Sequence, residues 1–290
     1  MSKPPLVVIA GPTASGKSAL ALELAARRGG IVINADASQV YADLRVLSAR
    51  PSPQEEAQAP HQLYGVVDGS VACSTAMWAG MAKQAIREAH ESGTIPVLVG
   101  GTGMYIRTLL EGIAPVPEIA EDVRAEVRAL VDPYPALAVE DPVMAARLRP
   151  SDRQRVARAL EVKRATGRSL AEWQSGNEGG IADEVDLQAH VVEIDRELLY
   201  ARCDARFDAM LAQGALDEVA ALRERDLQPD LPVMKALGVP SLLRHLAGKV
   251  TLDEAAEIAK RDTRRYAKRQ LTWFRNQAAD WKRITSGDIL

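Results

Sequence analysis

Residues 5–28 read PLVVIAGPTASGKSALALELAARR, and this stretch contains three successive patterns. The apolar run at 5–10 is short and stops at a glycine, which is typical of a buried β-strand. Residues 11–18 match the phosphate-loop pattern G-x-x-x-x-G-K-[S/T]. Residues 17–28 are rich in Ala and Leu and predict a helix that begins inside this loop. A strand, a loop and a helix in this order form the context in which the pattern binds phosphate.

The loop predicts a phosphate site, and the competing interpretation is a glycine-rich turn without a ligand. Its glycines let backbone N–H groups turn towards phosphate oxygens, and the helix N-terminus adds partial positive charge. Lys17 adds a full charge, and the hydroxyl of Ser18 is a candidate ligand for Mg²⁺. The predicted phosphate-binding residues are Gly11, Pro12, Thr13, Ala14, Ser15, Gly16, Lys17 and Ser18.

Further strands and helices alternate after the loop. Residues 31–33 and 96–99 are apolar runs that predict strands, and residues 75–91 predict a helix closed by a Ser-Gly pair. Alternation of this kind indicates an α/β fold with a parallel sheet, in which ligands bind beyond the carboxyl ends of the strands. The phosphate loop, Asp36 and residues 100–103 all follow predicted strands, so they should converge.

The pattern becomes helical after about residue 117. Residues 121–175 are almost wholly helical in pattern, and strand character returns at 190–194. The last third predicts helices at 196–213, 215–225, 239–247 and 251–276. We therefore expect an α/β core formed by residues 1–117 and 186–290, with a helical C-terminal part, and a helical insertion at 118–185.

Asp36 is the acidic residue that follows a predicted strand near the phosphate loop. A nucleoside triphosphatase usually holds Mg²⁺ with an acid at the end of an apolar strand, but the strand at 96–99 ends in Gly-Gly-Thr. Asp36 is compatible with three roles, namely a Mg²⁺ ligand, a general base or the N-cap of a following helix. The residues alone leave these alternatives open.

Composition and charge limit the class of protein. Hydrophobic residues make up 47% and charged residues 26%, as in a globular protein that buries a sizeable core. The two cysteines, Cys73 and Cys203, form no metal or disulfide pattern. We find no secretory signal and no apolar stretch long enough to span a bilayer, so we expect a cytoplasmic protein with no membrane partner.

Positive charge is concentrated near the end of the chain. The net charge is −3, so no global field attracts nucleic acid. Residues 260–275 nevertheless carry seven basic residues and one acid. On the pattern alone such a helix is more often a solvated face than a nucleic-acid surface.

Four blocks together carry a resemblance to a known family. They are GPTASGKS at 11–18, DASQVY at 36–41, VGGTGMY at 99–105 and KRQLTWFR at 268–275. In this order and at these spacings they resemble the tRNA dimethylallyltransferases, also called tRNA isopentenyltransferases. The match extends over nearly the whole chain.

The resemblance implies a fold and a reaction. Family members have a P-loop NTPase-like core with a helical insertion that helps to clamp the tRNA anticodon stem-loop. Their phosphate loop holds the diphosphate of dimethylallyl diphosphate, and Mg²⁺ assists. The dimethylallyl group is transferred to the N6 amine of the adenosine immediately 3′ of the anticodon, position 37 of the tRNA, giving N6-isopentenyladenosine. We expect a monomer, since one subunit can hold both substrates.

The resemblance also assigns residues. It makes Asp36 the general base, places Thr102 against the target nucleotide, and makes Lys17 and Arg206 stabilise the leaving diphosphate with the loop. The positions that resemble family tRNA contacts are Asp36, Ala37, Ser38, Gln39, Thr102, Arg124, Gln154, Arg155, Arg158, Lys235, Lys268, Arg269 and Arg275.

Two positions depart from the family pattern. The family usually has Ser directly after the Asp, whereas here Ala37 precedes Ser38, so the expected hydroxyl is displaced or lost. Many relatives have G-Y-[R/K] after the residue equivalent to Lys235. Here Gly238 is followed by Val and Pro, which removes one aromatic and one cationic contact.

Two other functions share the phosphate loop. A small-molecule or nucleoside kinase would use Asp36 to deprotonate a hydroxyl. A nucleic-acid-binding NTPase would use the loop as a switch without transfer chemistry. The absent strand-end acid and the basic C-terminal segment count against the kinase.

Overall fold

The structure is a computed structural model that describes residues 2–285 and 287. Its centre is a six-stranded sheet in which every pair of neighbours is parallel, with the order β3-β2-β4-β1-β5-β6. The predicted α/β class with a parallel sheet is confirmed. The strands are β1 (Pro5–Ala10), β2 (Gly30–Asn34), β3 (His61–Gln62), β4 (Ile95–Gly100), β5 (Asp186–Val192) and β6 (Lys282–Ile284).

The register brings the ends of three strands to the same level. Ala10 at the end of β1 pairs with Gly100 at the end of β4, and Asn34 at the end of β2 pairs with Val99. The segments that follow these three strands therefore start at one edge of the sheet. Strand β5 begins four residues before the predicted one, at Asp186 in place of 190, because its first four residues alternate between polar and apolar and do not form the apolar run by which the other strands were recognised.

Helices cover the sheet and form the C-terminal part of the core. The first of them, α1, packs its Leu and Ala side chains on β1, β2 and β4, and it begins and ends as predicted. Among the described residues the helices of the core are α1 (Lys17–Arg28), α2 (Pro53–Glu56), α3 (Thr75–Glu91), α4 (Gly103–Glu111), α10 (Arg196–Ala212), α11 (Ala215–Glu224), α12 (Val239–Leu246) and α13 (Leu252–Gln277), with a 3₁₀ turn at Pro232–Lys235.

Contacts divide the chain into two compact units. One comprises the described residues of Met1–Leu109 and Ala182–Leu290, and the other is Leu110–Ile181. The sequence placed the boundaries at 117/118 and 185/186, a few residues later in the chain. None of the helices formed by the described residues combines the length and apolar character that a membrane span needs.

The second unit is a small helical domain with a core of its own. Val127, Leu137 and Leu160 are almost fully buried in it. The carboxylate of buried Asp141 accepts hydrogen bonds from the Ser169 hydroxyl, at 2.8 and 3.0 Å. Its helices are α5 (Glu121–Ala129), α6 (Tyr134–Glu140), α7 (Pro142–Arg147), α8 (Arg153–Thr166) and α9 (Leu170–Trp173).

Candidate active site

The phosphate loop joins β1 to α1 in the conformation that its sequence predicts. Gly16 has a φ of 92° and Ala14 a φ of 62°, so two residues adopt left-handed conformations, one of them without the freedom of glycine. The hydroxyl oxygen of Ser15 is buried and has no hydrogen-bond partner within the described part of the chain. A buried polar atom without a partner is costly, so this loop leaves one of its own polar groups unsatisfied.

Three side chains hold the loop from inside the same unit. Lys17 donates from Nζ to the carbonyl of Pro12 at 3.2 Å. The guanidinium of Arg206, on α10, donates to the hydroxyl of Thr13. The backbone N–H of Thr13 donates to Oε1 of Gln270, on α13, at 2.8 Å. The loop is thus preformed without a ligand.

Burial governs the charge at the loop. It lowers the pKa of the Lys17 ammonium group to about 8, because desolvation disfavours the charged form; nearby Asp36 opposes this shift and Arg206 reinforces it. Burial also lowers the pKa of Arg206, although an arginine remains protonated. Two poorly solvated cations next to an unpartnered hydroxyl form a site suited to an anion.

Asp36 lies in a turn directly after β2 and lines the same pocket as Lys17, Ser18 and Arg206. Its Oδ1 accepts hydrogen bonds from the backbone N–H of Ser38 at 3.0 Å and from the Ser38 hydroxyl at 2.7 Å. Asp36 therefore caps a turn, and the next helix, α2, has Ser52 as its N-cap. Position 37 is alanine, so the hydroxyl that contacts the carboxylate in this turn is that of Ser38.

Residues 100–103 approach this turn so closely that glycine is required. A Cβ on Gly100 would overlap the carbonyl of Ala35, one on Gly101 would overlap the Gln270 amide, and one on Gly103 would overlap the Trp273 ring. The hydroxyl of Thr102 accepts a hydrogen bond from the Ala37 N–H at 2.9 Å. The predicted convergence of the three strand-end segments is present.

Apolar side chains, here called the apolar wall, also line this pocket. They include Leu47, Phe207, Met210 and Leu237. The backbone N–H of Leu47 donates to the carboxylate of Glu218 at 2.8 Å, and so does that of its predecessor, at 2.9 Å. A pocket lined by both cationic and apolar side chains suits a ligand that carries both an anionic and a hydrocarbon group.

Several residues at or around the site were missed by the sequence analysis, and two of them, Tyr266 and Gln270, carried a usable signal. Tyr266 and Gln270 lie four residues apart on α13, so they share its inward face with buried Thr263 and Phe274. The block at 268–275 drew attention through its charges, which hid a polar residue on the buried face. Leu47 and Glu218 gave no such signal, because their contact joins segments far apart in the chain. The missed residues include Leu47, Glu218, Tyr266 and Gln270.

The predicted tRNA contacts of the first unit differ in availability. Lys268, Arg269, Arg275 and Lys235 are exposed. Gln39 is engaged internally, since its Nε2 donates to the carbonyl of Ala49 at 2.7 Å. Ser38 is likewise occupied by its hydrogen bonds to the neighbouring carboxylate.

In the helical unit the predicted contacts lie on α5 and α8. Arg124 is within 3.7 Å of Glu121, and Arg155 within 3.4 Å of Asp152. Arg158 lies 3.6 Å from Glu161, and Gln154 is exposed on the same helix. The pairs of Arg124 and Arg155 are solvent-accessible and contribute little to stability, so these two arginines can exchange partners at small cost, whereas the Glu161 partner of Arg158 is buried.

Mg²⁺ is bound by oxygen ligands, so its candidate ligands are the oxygen-bearing side chains near the phosphate loop. The described residues contain no cluster of three or more His, Cys, Asp or Glu side chains that could hold a metal by themselves. Ser18 and Asp36 nevertheless line one pocket beside the phosphate loop. Mg²⁺ commonly binds through one or two protein oxygens together with substrate phosphates and water. The residues fit an ion that arrives with a diphosphate.

Comparison with known proteins agrees with this geometry. The family profile described as IPP transferase matches residues 39–277. A tRNA dimethylallyltransferase of Sphingopyxis alaskensis is 57% identical over 282 residues, which are 96% of this chain and 92% of the relative.

Two solved structures are also similar. A full-length tRNA isopentenylpyrophosphate transferase of Bacillus halodurans has a TM-score of 0.72 and 36% identity, over 98% of this chain and 90% of that one. A eukaryotic dimethylallyltransferase described as acting on tRNA has a TM-score of 0.85 and 30% identity, over 98% of this chain and 74% of that one.

Proposed function

This chain belongs to the IPP transferase family of tRNA dimethylallyltransferases and prenylates tRNA, and from that premise we propose roles for its residues. The phosphate loop binds the diphosphate of dimethylallyl diphosphate. Asp36 accepts the proton of the attacking amine. The acceptor is the N6 amine of the adenosine at position 37 of the tRNA, and the product is N6-isopentenyladenosine.

One observation carries these roles. Lys17, Arg206 and Asp36 line a single pocket, so a cradle for a leaving anion and a candidate base open onto the same space. Transfer forms a bond between N6 and C1 of the dimethylallyl group and breaks the bond between C1 and the diphosphate oxygen. The electron pair of the broken bond goes to the diphosphate, and the N6 proton goes to Asp36.

The cationic, acidic and apolar residues of the pocket each suit a different part of this reaction. Negative charge develops on the leaving diphosphate, and preorganised cations and backbone N–H groups stabilise such charge strongly in a poorly solvated site. The lone pair of an exocyclic adenine amine is delocalised into the ring, so a base that removes its proton helps, typically by about 10²–10⁴-fold. The apolar wall around Leu47 and Phe207 suits the hydrocarbon end of the donor.

Mg²⁺ would be held by Ser18 and by the diphosphate itself. When bound, it would neutralise part of the negative charge of the leaving group. Lys17 and Arg206 supply the fixed positive charge at the same end of the pocket.

The target adenosine must leave the anticodon loop to reach Asp36. Extruding a base costs a few kcal/mol, least where it is already unpaired. The Thr102 hydroxyl accepts a hydrogen bond from the N–H of Ala37, the residue after Asp36. Thr102 therefore lies close to the general base, which supports its role at the target nucleotide.

Exposed cations on α13 contact the RNA backbone, and the insertion predicted at 118–185 clamps the stem-loop. We propose that the protein acts as a monomer, since one subunit can hold both substrates.

The test supplies labelled dimethylallyl diphosphate, Mg²⁺ and an unmodified tRNA, and then digests the RNA to nucleosides. We expect labelled N6-isopentenyladenosine from a tRNA with adenosine at position 37 and none from the same tRNA with guanosine there. Incubation with ATP alone should give negligible hydrolysis, and a rapid turnover of ATP would favour the kinase or the NTPase switch.

A further inference from the structure

Gln270 differs from its neighbours on α13. Lys268 and Arg269 are exposed, whereas the Gln270 side chain is only 5% exposed and lies on the buried face of the helix. A buried amide is stable only when its donor and its acceptor are both paired. The position of Gln270 inside a basic block therefore says little about its role. That role has to be inferred from the groups to which its amide is hydrogen-bonded.

Both ends of the amide are paired, and with different loops. Oε1 accepts from the backbone N–H of Thr13 at 2.8 Å, and Nε2 donates to the carbonyl of Gly101 at 2.9 Å. Exchanging the oxygen and nitrogen would oppose two donors and two acceptors, so these partners fix one orientation of the amide.

These two loops belong to opposite sides of the proposed reaction. Thr13 lies in the phosphate loop, which holds the leaving group. Gly101 precedes Thr102, whose hydroxyl hydrogen-bonds to the N–H of Ala37, the residue after Asp36. A single side chain thus connects the loop for the donor with the turn that carries the base.

The space between the two loops that Gln270 joins leaves little room for a side chain of another length or charge. A Cβ on Gly101 would overlap the Gln270 amide, so the loop and the amide are in direct contact. Asparagine is one methylene shorter and would not span the gap, and an ionised glutamate would present an acceptor to the Gly101 carbonyl. Bond formation requires the reacting atoms at about 3–3.5 Å and aligned, and a displacement of about 1 Å costs on the order of 10²-fold in rate.

We propose that Gln270 is a positioning residue that sets the distance between the phosphate loop and the Asp36–Thr102 turn, and thereby sets kcat. The inference rests on the proposed function, since it concerns the same transfer. Gln270 touches neither substrate. Its effect on the rate passes through the two loops that it joins.

The first experiment replaces the amide by an apolar side chain of similar length, Gln270→Met, and measures single-turnover and steady-state transfer. We expect kcat to fall about 10²-fold while the Kd for tRNA changes by less than about twofold. The matched control is Gln277→Met, an exposed glutamine on the same helix, which should leave both quantities unchanged.

The second experiment uses Gln270→Glu, which restores function only when protonated. A neutral carboxyl can accept from the Thr13 N–H and donate to the Gly101 carbonyl, whereas the ionised form repels that carbonyl. We therefore expect the ratio of variant to wild-type kcat to rise as pH falls, by up to about tenfold per pH unit above the pKa of the new carboxyl. Taking the ratio to wild type corrects for pH effects that the two enzymes share, since Tyr266, Lys17, Arg206 and Asp36 face the site in both.

The outcomes separate this inference from the proposed function. A wild-type enzyme that makes no N6-isopentenyladenosine overturns the proposed function. Transfer by wild type with an unchanged kcat for Gln270→Met, or a loss confined to Tm and tRNA affinity, overturns the positioning role alone. A Gln270→Glu ratio that is flat with pH also overturns it, because a merely structural defect would not respond to protonation of the new carboxyl.

Discussion

Two glycine-containing loops leave neighbouring strands at the same edge of the sheet and use glycine for different purposes. In the phosphate loop, Gly16 permits a left-handed turn, and the buried hydroxyl of Ser15 is left without a partner among the described residues. In residues 100–103, Gly100 and Gly101 permit close approach, and the surrounding polar groups are paired within the protein. The first loop is arranged for a ligand and the second for packing.

This difference between the two loops distinguishes a loop that binds a ligand from a loop that positions its neighbours. A loop that leaves polar groups unpaired accepts a loss of stability in exchange for affinity, as functional sites often do. A loop whose groups are paired holds its neighbours in place. Substitutions in the first should reduce activity with little loss of stability, and substitutions in the second should reduce both.

Asp36 lines the same pocket as the phosphate loop and belongs to the turn that Thr102 contacts, and it should show the largest effect. Replacing it by Asn keeps the shape but removes the proton acceptor, so we expect kcat to fall about 10²–10⁴-fold. The Kd for tRNA should stay close to that of wild type, as measured by filter binding. An unchanged kcat would refute the assignment of the base.

Lys17→Met tests the ligand-binding loop. Loss of a preorganised positive charge should lower kcat/KM for the donor by about 10²–10³-fold. The free energy of unfolding should stay the same or rise, because a largely buried ammonium group is costly in the ligand-free protein. Transfer assays and urea denaturation measure the two quantities. A large loss of stability would contradict the assignment of this loop to ligand binding.

Gly101→Ala tests the packing loop. The added methyl group would overlap the Gln270 amide, so we expect a loss of about 1–3 kcal/mol in the free energy of unfolding together with a lower kcat. The control is Gly80→Ala, in helix α3, where a Cβ meets nothing within 4 Å. That change should stabilise the protein by about 0.5–1 kcal/mol. Equal free energies of unfolding for Gly101→Ala and wild type would show that the loop and the Gln270 amide can accommodate the added methyl group without cost.

The pH dependence of donor binding sharpens the description of the phosphate loop. Burial lowers the pKa of Lys17 to about 8, so the group is charged below that pH and loses its charge as pH rises through it. We expect kcat/KM for dimethylallyl diphosphate, which reports the free enzyme, to fall by up to about tenfold per pH unit above this pKa. An unchanged profile from pH 7 to 9.5 (roughly the window around a pKa lowered in this way) would contradict the shift.

Lys268→Ala should have the smallest effect, since this residue belongs to neither loop. We expect tRNA affinity to fall several-fold and the slope of log Kd against log salt to decrease by about one, as for the loss of one phosphate contact. Lys249→Ala, another exposed lysine, is the control and should preserve the slope. The same slope in both variants would argue against the contact.

Local patterns predicted the parts of the fold that depend on neighbouring residues. Helices α1 and α3 begin and end as expected, because their apolar spacing and terminal residues lie within each segment. Helix α4 was not predicted, since it starts within the glycine block at 100–103 and offered no separate start signal. The short helix α2 was likewise absent from the prediction, whereas α6 and α9 lie within the stretch 121–175 that was predicted to be almost wholly helical.

The site was predictable to the extent that its residues lie in motifs. The phosphate loop, Asp36 and Thr102 follow strands and could be placed together from topology alone. Leu47, Glu218 and Gln270 could not, because their partners lie in remote parts of the chain. The bond between Leu47 and Glu218 spans 171 residues, and no local pattern records such a distance.

The bond between Thr13 and Gln270 spans 257 residues and joins the first loop of the protein to its last long helix. During synthesis on the ribosome the phosphate loop emerges first, and the side chain that braces it follows 257 residues later. A nascent chain that has not reached Gln270 therefore carries the recognisable motif without its brace. The loop can acquire this support only after α13 has been synthesised and has packed against it.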